Sequence, residues 1–311
     1  MKTKFLAVVV LILLMSVSCE TGGDDILLED SSFKEIPIKD PTFVDLGNTS
    51  YSISKITKSG DLLKSSDKME VSLYMAEFIT ADGNEEMGNT IFFQDNGNKQ
   101  LSVDFPPGGG IDGTDDVSYY VDESRPSGNL DVAVSTDAID RAMETWDDVK
   151  CSDLGMFKTD FNPNFPQTGF VANILGYGGS QFYFGDVLHA GWLPGSFFDI
   201  LAPGGSSFIL GVTFTLTFND GSGVAFREIY YNDNFTWNDG NTFDVETIAL
   251  HEAGHGLSQA HFGKAFRTES NGKVHFSPRA VMNASYSGVQ TKIAKTDNAG
   301  HCSNWAQWPN N

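Results

Sequence analysis

With 311 residues, 40% of them apolar, the chain can form one large domain or two small ones around a sizeable core. Acidic residues outnumber basic ones 41 to 20, and the net charge of -21 argues against nucleic acid and anionic lipid surfaces, which both recruit Lys and Arg. The acid excess reads first as solubility, and calcium ligation by some of the carboxylates is the sharper reading.

The chain opens with MKTKFLAVVVLILLMSVSC. Lys2 and Lys4 precede the apolar run from Phe5 to Met15, which is too short for a comfortable membrane span and fits a secretory signal over residues 1–18. Ser16-Val17-Ser18-Cys19 resembles a bacterial lipobox, with Ser16 where that pattern prefers Leu. The resemblance implies a lipidated Cys19 and an acidic tether over residues 19–45. The protein would then be a secreted outer-membrane or cell-surface lipoprotein, held to the membrane by that anchor. Ordinary signal cleavage near the same point is the alternative.

Residues 46–112 read as a β-rich N-terminal region. Met69–Thr80 is a strand candidate, and Thr90–Phe105 carries a hairpin signal with Asn96-Gly97 at the turn. The run PPGGGIDGTDD over Pro106–Asp116 interrupts the pattern, and a boundary is expected between residues 112 and 113. Beyond it, Ile139, Met143, Trp146 and Val149 recur at helical spacing within Ser135–Lys150, with Ser135 or Thr136 as N-cap. Ser207–Phe218 and Ala225–Asp233 read as strands, Phe243–Gln259 as a second helix, and Lys295–Trp308 as a third, with Asp297 near its start. Strands and helices mixed in this way indicate an α+β or α/β fold, and α+β is the class expected here. Of the three cysteines, lipidation of Cys19 leaves Cys151 and Cys302 as an even pair in an oxidising compartment, where a disulfide is expected. Two buried thiols are the alternative.

The second helix carries HEAGHGLSQAH, His251–His261. His251 and His255 lie one turn apart on one face, so both imidazoles reach one metal ion. Glu252 need not bind the metal and is placed to take a proton from metal-activated water. His261 joins them only if the helix ends near Gly256–Ser258 and the chain turns back. Three protein ligands then leave one position open, as in a catalytic zinc site.

These residues resemble the signature of the metzincin zinc peptidases, H-E-x-x-H-x-x-G-x-x-H followed by a Met-turn. His251, Glu252, His255 and His261 match it, and AVMNASYSG downstream is similar to the Met-turn, with Met282 beneath the metal and Tyr286 four residues on. The resemblance implies a twisted mixed sheet with a zinc-site helix and a C-terminal helix over residues 113–311, one catalytic Zn2+, and endopeptidase activity on proteins or peptides. Tyr286 would stabilise the oxyanion or support the turn. The sequence departs from the family at Ser258, where the signature has glycine. His189, His275 and His301 match no ligand position. No cysteine follows Cys19 in the N-terminal region, so a cysteine latch is absent; Asp112, Asp115 and Asp116 are candidates to cap the zinc, and an accessory domain is an equal reading. A surface lipoprotein that binds partners through a zinc-stabilised fold, without turnover, is the other functional class.

Overall fold

The computed structural model describes residues 33–55, 68–94, 104–108 and 114–309. The expected signal peptide, Cys19, the Asn96-Gly97 turn and Asp112 lie outside them. In chain order the elements are β1 (Phe33–Ile36), β2 (Thr42–Phe43), β3 (Ser50–Lys55), β4 (Lys68–Thr80), β5 (Thr90–Phe92), β6 (Val117–Val121), α1 (Val132–Asp147), β7 (Met156–Thr159), α2 (Phe170–Ile174), β8 (Phe182–Tyr183), β9 (Val187–Leu193), α3 (Gly195–Phe198), β10 (Ile209–Phe218), β11 (Val224–Asn232), α4 (Val245–Gly256), β12 (Lys264–Thr268), β13 (Val274–Ser277) and α5 (Lys295–Trp305). Among the described residues, no helix is long and apolar enough to cross a membrane.

The fold is mixed α+β. The main sheet runs β2-β5-β4-β10-β11-β9-β6-β7, with β3 and β8 attached through β4, and β1-β12-β13 form a small separate sheet. Strands β11, β9, β6 and β7 are parallel neighbours, whereas β10 is antiparallel to both β11 and β4. Period-two alternation divides β11 between two apolar layers. Ile229 and Tyr231 face the layer built from Ile139, Met143, Trp146, Ile248 and Ala249 of α1 and α4. Phe226 and Tyr230 face the other, with Phe170, Phe197, Phe198 and Phe214.

Three expectations change. The strand β4 belongs to the expected N-terminal region, yet it is paired with β10 from Val71 to Thr80, so the division at residue 112/113 does not separate two sheets. Sequence reading sees a Gly- and Pro-rich interruption but not which strands meet across it. The tether expected over 19–45 includes β1, paired with β12, and β2, paired with β5, because backbone pairing at a sheet edge asks little of the side chains. Helix α1 begins three residues earlier than expected: the Asp131 carboxylate accepts the Ala133 N–H at 2.8 Å and caps it, while Ser135 sits inside and its hydroxyl donates to the Val132 carbonyl.

Cys151, just beyond α1, is joined to Cys302 in α5, with Cα atoms 5.7 Å apart at a sequence separation of 151. Closing so long a loop restricts the unfolded chain, so Cys302→Ser should lower stability by about 2–5 kcal/mol in urea unfolding. An unchanged midpoint would show that the bond contributes nothing.

His189 of β9 is wholly buried between Tyr231, whose hydroxyl is 2.8 Å from Nδ1, and Met143. Burial, reinforced by the charge of Lys158, lowers its pKa from 6.5 to about 3. The unfolded chain takes up this proton below its ordinary value, so stability from neutral His189 is complete above that value and drains away as pH falls towards about 3. His189→Gln should therefore flatten the acid limb of the stability–pH curve; parallel curves for the two proteins would exclude this.

Candidate metal centre

Helix α4 presents the signature residues because both its ends are fixed. At its start the Asp244 carboxylate accepts the Thr247 N–H at 2.8 Å. At its end, Ser258 N donates to the His255 carbonyl at 3.1 Å and Gln259 N donates to the Gly254 carbonyl at 2.9 Å. This pair of bonds is the Schellman arrangement, which requires a left-handed residue after the cap. Ser258 takes that conformation, with φ +66°. It stands where the metzincin signature has glycine, and a non-glycine residue there costs roughly 1–2 kcal/mol. The turn is held from outside: the Ser258 hydroxyl lies 3.0 Å from Arg227 Nη2, and Arg227 Nη1 donates to the Gly256 carbonyl at 2.9 Å.

The reversal brings His261 back to the other two rings. His255 Nε2 lies 3.1 Å from His251 Nε2 and 3.2 Å from His261 Nε2. Ligand atoms of all three lie within 4.8 Å of one another, so the triad is positioned to bind a metal ion; among the described residues it is the one such His, Cys, Asp or Glu group. The tautomers follow from the other ring nitrogens. His251 Nδ1 donates to the Val281 carbonyl at 2.7 Å and His255 Nδ1 to that of Gln259 at 2.6 Å. Their Nε2 lone pairs therefore converge, an arrangement that repels itself unless a cation lies between them. Two nitrogens bound at 2.0–2.1 Å to a tetrahedral zinc would be about 3.3 Å apart, close to the spacing seen here.

Turn residues Ala280–Tyr286 back this arrangement. The Asp297 carboxylate accepts the N–H groups of Val281 at 2.9 Å, Met282 at 3.1 Å and Ala294 at 2.7 Å, which fixes the carbonyl that orients His251. Met282 is buried against Gly254, where a side chain would strike its sulfur. Tyr286 is buried, and its hydroxyl makes long contacts of 3.5 Å with Asp244 N and the Asn241 carbonyl. These contacts place it at the start of α4.

Glu252 is fully buried, with Oε2 accepting the Thr213 hydroxyl at 2.6 Å and Oε1 without a hydrogen-bond partner. Burial raises its pKa to about 7, against the lowering influence of His255 and Thr213. A second carboxylate, Glu77 of β4, also reaches the site: Oε2 is 3.3 Å from His255 Nδ1. Burial favours its neutral form, but His255, His261 and Arg227 together outweigh burial and hold Glu77 below its usual value. Burial opposes charge on His255 too, yet Glu77 prevails and raises it, so this carboxylate favours positive charge at the ring. Burial and the neighbouring rings keep His251 and His261 neutral.

The motif reading found the triad and Glu252. It missed Glu77, Thr213 and Arg227, which lie on strands with no motif, and it noted Asp297 only as a helix start. His189 and His301 are buried elsewhere, the latter stacked on Trp146, and His275 is exposed. No protein-family model matches the chain, and no curated protein matches it.

Replacing any one of His251, His255 or His261 by Ala should abolish tight zinc uptake, measured by titration against a chromogenic chelator. His301→Ala should leave it intact. Equal uptake by all four variants would remove the triad as the site.

Proposed function

We propose that the protein is a zinc-dependent endopeptidase with a metzincin-like catalytic domain, exported and anchored at the bacterial surface through Cys19. The observation that carries this reading is the union, on one helix and its return, of three convergent imidazoles with the fully buried Glu252 carboxylate beside them. His251, His255 and His261 would hold the ion, and three protein ligands are the number that leaves a catalytic zinc one open position. When bound, zinc supplies Lewis acidity, which acidifies water and polarises a carbonyl.

Glu252 moves the proton. Thr213 ties down Oε2, leaving Oε1 to accept the proton of the attacking water and later deliver it to the leaving amine. A carboxylate with a pKa near the operating pH suits both transfers. Val281, Gln259 and Asp297 orient the ligands and take no part in bond breaking. Met282 packs beneath the helix, and Tyr286 supports its start. A protein or peptide is the substrate, and the membrane is a partner only through the anchor.

The burial of His251 and His255 favours a second reading, a surface lipoprotein whose metal serves only to stabilise a binding fold. Glu252 separates the two, since a structural site has no use for an ionisable carboxylate with one oxygen unpaired. Glu252→Gln should keep zinc content and thermal midpoint while lowering hydrolysis of a mixed fluorogenic peptide library by about 10²–10⁴-fold. Both proteins should be assayed before and after limited proteolysis, with and without chelator. Equal hydrolysis by the two would remove Glu252 as the base, and zinc-loaded protein that cleaves nothing in any form would favour the binding module.

A further inference from the structure

A peptide can react at this centre only if its backbone reaches the triad, and the chain's own backbone is already there. The strand β4 takes the edge of β10, with Glu77 opposite Thr213, the residue that holds Glu252. Its last residues are also bonded on their other flank. Thr80 bridges to Ser285 in parallel, Tyr286 N donates to the Thr80 carbonyl at 2.8 Å, and the Ser285 hydroxyl lies 3.3 Å from the carbonyls of Thr80 and Ala81. An extended segment paired on both sides is how a peptide docks when it adds a strand to a sheet.

The chain then turns at Asp82–Gly83 and returns across the third ligand. Gly88 N donates to the Ala284 carbonyl at 2.7 Å, and Phe78 N donates to the Asn89 carbonyl at 3.3 Å. A Cβ on Gly88 would meet His261 Cε1 at 3.0 Å, so bare backbone lies against the edge of the ring that bears Nε2. Met87 anchors this return in a small apolar cluster with Ala265, Val274 and Ala284. Outside the anchor the tip is polar: Asp82, Gly83 and Glu85 are exposed, and the ion pairs Lys39–Glu86 and Arg267–Glu85 lie at the surface.

We infer that Glu77–Thr90 is an internal latch: it occupies the place of a peptide substrate, keeps the intact chain latent, and is released by cleavage in the exposed tip between Asp82 and Glu86. The inference rests on the peptidase reading above. A cut there turns Ile79–Ala81 and Met87–Gly88 into chain ends, and ends fray where a continuous hairpin does not. The latch replaces the cysteine device that the N-terminal region lacks, and Asp115 and Asp116 have no part in it.

The test uses the full chain, loaded with zinc, carrying the recognition sequence of a specific protease between Gly83 and Asn84. Zinc release to a chelator and hydrolysis of the mixed peptide library are measured before and after the cut, with the thermal midpoint as a folding check. Release should quicken by about tenfold or more once the tip is cut, and hydrolysis should appear. In the uncut chain, Met87→Ser should quicken release by loosening the anchor, which decides the matter if the cut protein unfolds. Release unchanged by both the cut and Met87→Ser would overturn the latch, as would full hydrolysis by the uncut wild type. Faster release with no hydrolysis would sink the peptidase reading and with it the latency, showing only that the hairpin covers the triad, whereas failure of any form to bind zinc would overturn both.

Discussion

The left-handed reversal at Ser258 is the constraint on which the metal centre depends. His251 and His255 are brought together by helical spacing alone, but His261 stands six residues further on and a continued helix would carry it off the face. The turn that returns it is energetically unfavourable for serine and is held by three side chains from two elements, β11 and α5. Arg227 of β11 binds Gly256 and Ser258, Asn304 Nδ2 donates to the Ser258 carbonyl at 2.9 Å, and Trp305 Nε1 donates to that of Leu257 at 2.9 Å. Arg227 is wholly buried, which lowers its pKa to about 10 and leaves it charged; its guanidinium lies 5.0 Å from the Phe105 ring centroid. The disulfide at Cys302 adjoins the α5 residues that grip the turn. A glycine would make the reversal easier but would forfeit the hydroxyl through which the sheet controls it.

Around this turn, one environment sends two buried carboxylates in opposite directions. Glu252 is desolvated, and burial outweighs His255, the Thr213 hydroxyl and the Ile79 backbone, so its pKa is raised to about 7. Glu77 is equally buried, but its contact with His255 and the charge of Arg227 hold its carboxyl below the usual value. Such divergence between neighbouring carboxylates comes from their partners and not from burial, which is complete for one and nearly so for the other. Those partners come from α4 and the return after it, β4, β10 and β11.

The legible parts of the sequence were those in which one short segment contains the whole signal. The one-turn spacing of His251 and His255, the periodicity of Ile139, Met143 and Trp146, and the strand-like runs now seen in β10 and β11 each reflect local geometry. So did the need for the helix to end near Gly256, since His261 had no other way back. The helix start at Asp131 escaped notice because Val132–Val134 reads as β-branched and apolar, while the cap is set by one carboxylate meeting one N–H.

The sequence by itself determined the ligand types, their spacing and the α+β mixture, because these follow from side-chain chemistry and helical or alternating repeats. Only the tertiary structure decided that Glu77, 174 residues before His251 in the chain numbering, lies beside His255, that β4 lies on β10, and that Gly88 lies against His261. Strand order arises from cooperative burial of two apolar layers on one sheet, and no local pattern in β4 records which edge it will join. The surroundings of the metal centre, including what covers it, were therefore set by contacts between segments that are silent when read one at a time.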